Sequence, residues 1–473
     1  RECVLRSALW KQQTDEEDAT WASRRRLVLV SAVASTLAPS YWSLVIARFL
    51  GGLAFSSISL ASMYIGEIAP PTLRGKLVSM TQINIVIGLS AAYFINYFIL
   101  QLSGSDATWV QSWGLDTHTW RWMLGSEIFF ALLWFFLLAI IPESPSWLVY
   151  NNREDAARNA LAKLFPATAI SQEISRIRDS LRHIQPNRSV SVQLRELVSK
   201  PMRRIFIVAA TIAIAQQATG INAILFYAPT FFEQMGLGTD AAFAQALWIG
   251  LVSVIFTVLS IALIDRFGRR PMIIWGMVWI VLSLSLCAYG FYSARYVISP
   301  ASFVDMQEIP NVERLHALAD IEYTSDIAFK QALQEVLGEE DARAHLSLIL
   351  QTSAHVNSTL ILVAILSFIA AFHFSVGPIM WVLFSELFPI SLRGIAIPAF
   401  ALMSSLVNYV VQQFFPWQLT HMGGTSIFLS YAGVVFLGLI ILYRFLPETK
   451  NLSIEEIQFK MGAGSRESSL PSN

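Results

Sequence analysis

Seven consecutive residues of one apolar stretch, Gln216-Gln217-Ala218-Thr219-Gly220-Ile221-Asn222, carry three amides. A buried amide is costly unless it is hydrogen-bonded, and it offers donors and an acceptor together. Adjacent hydroxyls of a polyol also donate and accept, so the cluster suits a hydroxyl-rich guest. On a continuous helix Gln217 and Asn222 stand about 140° apart round the axis and both can line one wide cavity. Gln82 and Asn84 sit in a second apolar run and Asn408 in a third. One amide in a membrane helix is more often helix–helix glue, worth about 0.6 kcal/mol. The cluster is less easily explained that way.

Gly377-Pro378-Ile379-Met380-Trp381 is the next candidate. The Gly-Pro pair predicts a break in backbone pairing, tolerated at membrane depth where it lines a cavity or packs on protein. An indole beside such a break can stack on the apolar face of a sugar ring; the plainer alternative is a lipid-facing Trp. Arg48, Glu127 and His373 lie within apolar runs. Intramembrane ionisable groups point first to ion or proton coupling, although His373 serves equally well as a hydrogen-bonded packing residue.

Charges also recur at the ends of apolar runs. Glu67 and Arg74 are spaced as Glu386 and Arg393 are, each pair followed by Gly. Arg24-Arg25-Arg26 has a counterpart in Asp265-Arg266-Phe267-Gly268-Arg269-Arg270. Pro142-Glu143-Ser144 is repeated as Pro447-Glu448-Thr449. Ion pairs within such sets can latch two halves of a carrier on one side and release when it opens. No hydrolytic triad, metal-ligand cluster or phosphate loop is evident, so neither enzyme chemistry nor a cofactor is expected.

The elements that must position these residues are membrane helices. Of 473 residues, 55% are hydrophobic and 14% charged, against about 25% charged in a soluble domain. Net charge is zero, which favours no nucleic-acid partner. A spanning helix needs about 20 apolar residues. Ten runs qualify: 24–39, 42–68, 77–100, 121–141, 204–231, 242–264, 272–294, 357–385, 395–418 and 426–446. The first is the weakest and could be a re-entrant segment. Arg and Lys concentrate in alternate connections, which places those connections and both termini in the cytoplasm.

This divides the chain into a polar tail (1–23), a first bundle of four helices (24–146), a cytoplasmic helical linker (147–203), a second bundle in two parts (204–294 and 356–447), an extracytoplasmic insert (295–355) and a cytoplasmic tail (448–473). The insert reads as a solvated cap with helices near Phe329 to Val336 and Leu337 to Ile349. Repeated halves are a mark of secondary transporters, with the site near the midplane. By the same symmetry two spans are expected before residue 24, giving ten of twelve.

Pro142-Glu-Ser-Pro-x-Trp-Leu148, Asp265-Arg-Phe-Gly-Arg-Arg270, Gln216-Gln217-x-x-Gly-Ile-Asn222 and Pro447-Glu-Thr-Lys450 together resemble the sugar porter family of the major facilitator superfamily, bacterial proton–xylose symporters most of all. The resemblance implies an all-α, two-bundle, alternating-access carrier of a monosaccharide in a bacterial inner membrane, monomeric and proton-coupled; a facilitative uniporter, or a sensor or inactive truncated form, are the alternatives. It implies sugar-site roles for Gln82, Gln216, Gln217, Asn222, Tyr227, Gly377 and Trp381, to which the span amides add Asn408. It implies coupling roles for Arg48 and Glu127. The inner latch maps to Glu67, Arg74, Asp265, Arg266, Arg269, Arg270, Glu386 and Arg393. Departures from the family pattern are Ser253 for an asparagine of the site, Ser404-Ser405 for a polar-aromatic pair, and Ser23 to Arg26 for the first Asp-Arg-x-Gly-Arg-Arg.

Overall fold

The computed structural model describes residues 26–461 apart from 56–60, 62–63, 66–67, 69–73, 139, 164, 183–189, 230–231, 233–238, 305, 308, 311, 389, 451 and 453. Among the described residues eight helices are long and apolar enough to cross a membrane, and two shorter apolar helices precede them. The short pair are α1 (Arg26–Thr36) and α2 (Tyr41–Phe55). α3 (Arg74–Ser103) and α4 (Thr119–Leu138) follow. α5 to α8 are Pro145–Tyr150, Glu154–Ala162, Ala167–Arg182 and Val190–Leu197. Ser144 starts α5 as its cap, its hydroxyl accepting from the Trp147 N–H at 3.3 Å, and Pro145 fits the first turn.

The second half contains α9 (Arg203–Ala218), α10 (Ile221–Phe226), α11 (Thr239–Phe267) and α12 (Arg269–Tyr292). After the insert come α16 (Ser358–Phe374), α17 (Val376–Leu387), α18 (Ile390–His421), α19 (Gly423–Phe445) and α20 (Ile454–Lys460). The chain divides into two compact units, Arg1–Arg74 with Phe94–Ile184, and Gly75–Tyr93 with Gln185–Asn473. In the second unit, α9, α12, α16, α17 and α19 bury a continuous core that includes Ile212, Ile280, Phe368, Phe384 and Phe428. Outward positions are apolar too: Leu282 is 64% and Leu437 62% exposed. Such a surface suits lipid, because burial in hydrocarbon asks nothing of a Leu side chain.

The break expected at Gly377-Pro378 falls instead at Ser375, between α16 and α17. Pro378 then lies in the first turn of α17, where a missing N–H breaks no helical bond.

The insert has its own core around Tyr296, Leu315, Phe329, Leu333 and Ile349. Its ends are tied by two short antiparallel strands, β1 (Arg295–Tyr296) and β2 (Ala354–His355). Between them run α13 (Asp326–Leu337), α14 (Glu339–Ala344) and α15 (Leu346–Ser353). The single helical stretch expected from Leu337 to Ile349 is therefore divided, by Gly338 and by His345. Tyr296 stacks on Phe329 at 5.4 Å. Burial, reinforced by the Asp326 carboxylate, pushes the Tyr296 phenol above its ordinary range.

Candidate functional site

The amide cluster lies on an elbow. α9 ends at Ala218, Gly220 takes a left-handed φ of +76°, and α10 begins at Ile221. The left-handed region costs a glycine little and other residues more. Thr219 braces the turn: its hydroxyl donates to Gln216 O at 2.7 Å and accepts from Ile221 N at 3.2 Å. The ring of Tyr431, from α19, lies against Gly220 where a side chain would otherwise stand. The elbow corrects the continuous-helix expectation, because it brings Gln217 and Asn222 into direct contact, with Asn222 Nδ2 donating to Gln217 Oε1 at 2.8 Å.

From that contact a chain of amides extends both ways. Gln217 Nε2 donates to Gln216 Oε1 at 3.1 Å, and Gln216 Nε2 to the carbonyl of Gly377 at 3.5 Å. In the other direction Asn222 Nδ2 also donates to Asn408 Oδ1 at 3.0 Å, and Gln412 Nε2 donates to the same oxygen at 2.8 Å. Three separate elements, the α9–α10 elbow, α17 and α18, thus meet through polar groups. Gln216 is 5% exposed, whereas Gln217, Asn222, Asn408 and Gln412 are half-buried. Among the described residues, Asn222 Oδ1 and Asn408 Nδ2 are not used by these bonds. An acceptor on one amide and a donor group on the amide bonded to it are thus left over, which is the pairing a diol needs.

The other candidates sit around or away from this chain. Tyr227 caps α10, with its ring tilted on Phe415 at 5.3 Å. Trp381 is half-buried on the core, edge-on to Phe384 at 6.0 Å. Gln82, on α3, is buried but forms no link in the amide chain. Three turns further along the same helix, Tyr93 donates its hydroxyl to Leu225 O of α10. Ser253 turns its hydroxyl onto Ile249 O of its own helix at 2.7 Å. His373 is 2% exposed; its Nδ1 lies 3.4 Å from Thr257 Oγ1 and its Nε2 has no partner among the described residues.

In the first unit Arg48 of α2 and Glu127 of α4 form an ion pair, Nη1 to Oε2, at 2.6 Å. Two groups 79 positions apart in the chain are thus one electrostatic element. Both are near two-fifths exposed, at 42% and 41%.

The charged residues at one end of the second unit also gather. Arg269 reaches Glu386 Oε1 at 3.0 Å and Asp265 Oδ1 at 3.2 Å. Arg266 joins through its carbonyl, which accepts from Lys450 Nζ at 2.9 Å. Arg270 donates instead to Tyr443 O at 3.0 Å, and Arg393 to Phe388 O at 2.9 Å. Glu67 and the Arg74 side chain lie outside the described residues.

Sequence reasoning missed two members of this group. Glu448 accepts four backbone N–H bonds, from Arg269, Arg270, Thr449 and Lys450, at 2.8–3.1 Å. Thr449 donates to Glu386 Oε2 at 2.6 Å. Glu448 therefore sits at the N-terminus of α12, where a carboxylate is favoured. The repeated Pro-Glu-Ser/Thr string was the available signal. Gln412 was likewise missed, although it lies one turn beyond Asn408.

Comparison with known proteins shows what the chain as a whole is similar to. The profile of the family described as "Sugar (and other) transporter" matches residues 25–303 and 344–460. The arabinose-proton symporter of Bacillus subtilis (strain 168) is 31% identical over 433 residues, 91% of this chain and 78% of that protein. The D-xylose-proton symporter of Escherichia coli (strain K12) is 30% identical over 421 residues, 88% of this chain and 70% of that protein. The solved structure of the major facilitator superfamily proton:xylose symporter XylE bound to 6-bromo-6-deoxy-D-glucose superposes with a TM-score of 0.67 at 28% identity, covering 93% of this chain and 82% of that one. The matched proteins are transporters, not enzymes.

Proposed function

The chain belongs to the sugar (and other) transporter family, an all-α group of multi-pass membrane proteins in the major facilitator superfamily, and from that premise we propose that it carries a pentose or hexose across the membrane by proton-coupled symport. The observation that supports this most is the amide chain from Gly377 O through Gln216, Gln217, Asn222 and Asn408 to Gln412. These amides bond one another. A sugar exchanges some of those bonds for its own, so the amides are never buried without partners, and net affinity reflects the difference between the two sets. Trp381 and Tyr227 supply apolar ring faces beside them.

The Arg48–Glu127 pair is the proposed coupling element, with the proton as coupling ion. A proton on Glu127 weakens its hold on Arg48 and changes the balance between the carrier's states. The cluster of Asp265, Arg266, Arg269, Arg270, Glu386 and Arg393 acts as a latch in the cytoplasm, where both termini also lie. An ion-pair cluster of this size can bias a two-state equilibrium by a few kcal/mol. The carrier works as a monomer in a bacterial inner membrane.

The test uses purified protein in sealed vesicles without an imposed gradient. Adding xylose, arabinose or glucose outside is expected to alkalinise the external medium as sugar and protons enter together. Sugar entry with no pH change would make the protein a uniporter. Absence of counterflow for any of the three sugars would reject sugar transport by this chain.

A further inference from the structure

Asn408 Oδ1 accepts two hydrogen bonds, from Asn222 on the elbow and from Gln412 one helical turn along α18. Two donors on one oxygen favour this orientation. Turned over, Asn408 would set its own NH2 against that of Asn222 and lose that bond, and it would keep the other only if Gln412 turned with it. Its oxygen therefore stays on the chain, and its two Nδ2 protons are not used by it. Asn222 is held in the opposite sense, since both its Nδ2 protons are engaged, one on Gln217 and one on Asn408. Its Oδ1 is the atom the chain leaves over.

We propose that Gln412 is a positioning residue that sets Asn408 as a hydrogen-bond donor and so fixes which hydroxyl pattern the carrier selects. This rests on the reading of the amide chain as a sugar site. The hydroxyl beside Asn408 must accept, and the neighbouring hydroxyl beside Asn222 must donate. An ordinary Asn–Gln pair one turn apart on a helix surface stabilises the helix slightly and does no more. Here the shared oxygen has a second partner, Asn222, on a different element, so the pair transmits an orientation to the site. A site whose polar groups are fixed can reject an analogue that leaves one unpaired.

Two variants separate this role from a structural one. Gln412→Glu keeps the shape but removes the donor, so Asn408 must turn its NH2 inward to meet the carboxylate. Gln412→Met removes the bond without reversing it. The measurement is KM and Vmax in counterflow, for whichever of xylose, arabinose and glucose exchanges fastest, and for its deoxy and fluoro analogues at each hydroxyl. Fluorine accepts weakly and cannot donate. In the parent protein one position is expected to tolerate fluorine but lose about tenfold in affinity when deoxygenated, the scale of one hydrogen bond. Gln412→Glu should raise KM for the parent sugar about tenfold with Vmax within about twofold, and abolish that fluoro-over-deoxy preference. Gln412→Met should weaken the preference without abolishing it.

An unchanged KM and an unchanged analogue pattern in Gln412→Met overturn the proposal, even if Gln412→Glu does not fold. Asn222→Ala distinguishes the two levels of the argument. If Asn222→Ala leaves sugar affinity as it was, the sugar-site reading itself fails. If it abolishes binding while the Gln412 variants match the parent, the orienting role alone is wrong.

Discussion

The ring of Tyr431 stands 2.3 Å from where a Cβ on Gly220 would be placed, so the left-handed residue of the elbow is held under an aromatic lid. Tyr431 is itself fixed, with its hydroxyl donating to Gln418 Oε1 at 2.8 Å. This contact holds α10 at the angle that lets Asn222 reach Gln217.

Gly220→Ala should therefore be poorly tolerated. It combines a backbone strain of about 1–3 kcal/mol with a clash against a buried ring. The thermal midpoint of the solubilised protein should fall by several degrees and sugar affinity with it. Tyr431→Phe keeps the ring and loses one hydrogen bond, about 1 kcal/mol, so its midpoint should lie between those of the parent and Gly220→Ala. An alanine at 220 that leaves midpoint and affinity unchanged would show that the elbow is not under this constraint.

The Arg269–Glu386 pair predicts a larger loss. Glu386→Ala removes the nearer of two carboxylate partners of an arginine that is 9% exposed; losing the whole of a buried pair typically costs about 3–5 kcal/mol, and with Asp265 still in place the loss should fall at the low end of that range. Unfolding of the purified variant in denaturant should show it. Replacing both residues by apolar side chains should cost less than Glu386→Ala alone, because the buried arginine is then gone and Asp265, which also loses it, is 44% exposed and can be solvated.

Glu448 gives a separable prediction at the start of α12. Gly268 precedes that helix at φ +91°, so close to the carboxylate that a Cβ would lie 2.6 Å from Glu448 Oε2. Glu448→Gln keeps an oxygen for the backbone N–H groups and should lower stability by less than 1 kcal/mol, while Glu448→Ala should cost about 1–2 kcal/mol, as loss of a helix cap does. Equal midpoints for the two variants would mean that the carboxylate's four N–H contacts contribute nothing beyond its charge.

The sequence allowed much of this to be read and left part of it hidden. Eight of the ten expected spans are helices of spanning length among the described residues, while the first two runs form shorter apolar helices; the amides at 216, 217 and 222 stand out because lipid-embedded helices rarely bear them. The elbow does not follow. An isolated Gly such as Gly220 is common in membrane helices, and the lack of room for a side chain there comes from the Tyr431 ring, more than 200 positions away. Gln412 has the same difficulty, since its meaning depends on an oxygen shared with Asn222, 186 positions from Asn408. The break near Trp381 was placed at Gly377-Pro378 because proline disrupts helices, but in a first turn it disrupts nothing. The insert's core was not legible, since its apolar residues lie in short segments that close only in three dimensions.

Coupling is tested at the ion pair in the first unit. Glu127→Gln cannot gain or lose a proton, and it leaves Arg48 a neutral partner. Counterflow of labelled sugar should persist at a rate within about tenfold of the parent, while accumulation driven by an imposed proton gradient should vanish. Full accumulation by this variant would remove Glu127 from the coupling step.

The central claim is that the amide chain gives up its internal bonds to hold a sugar. A structure determined with the transported sugar bound tests it most directly. Sugar oxygens are expected within about 3.2 Å of Gln217, Asn222 and Asn408, with the Asn222–Asn408 contact opened or shared. A sugar seated elsewhere, beside an amide chain still bonded only to itself, would contradict the account.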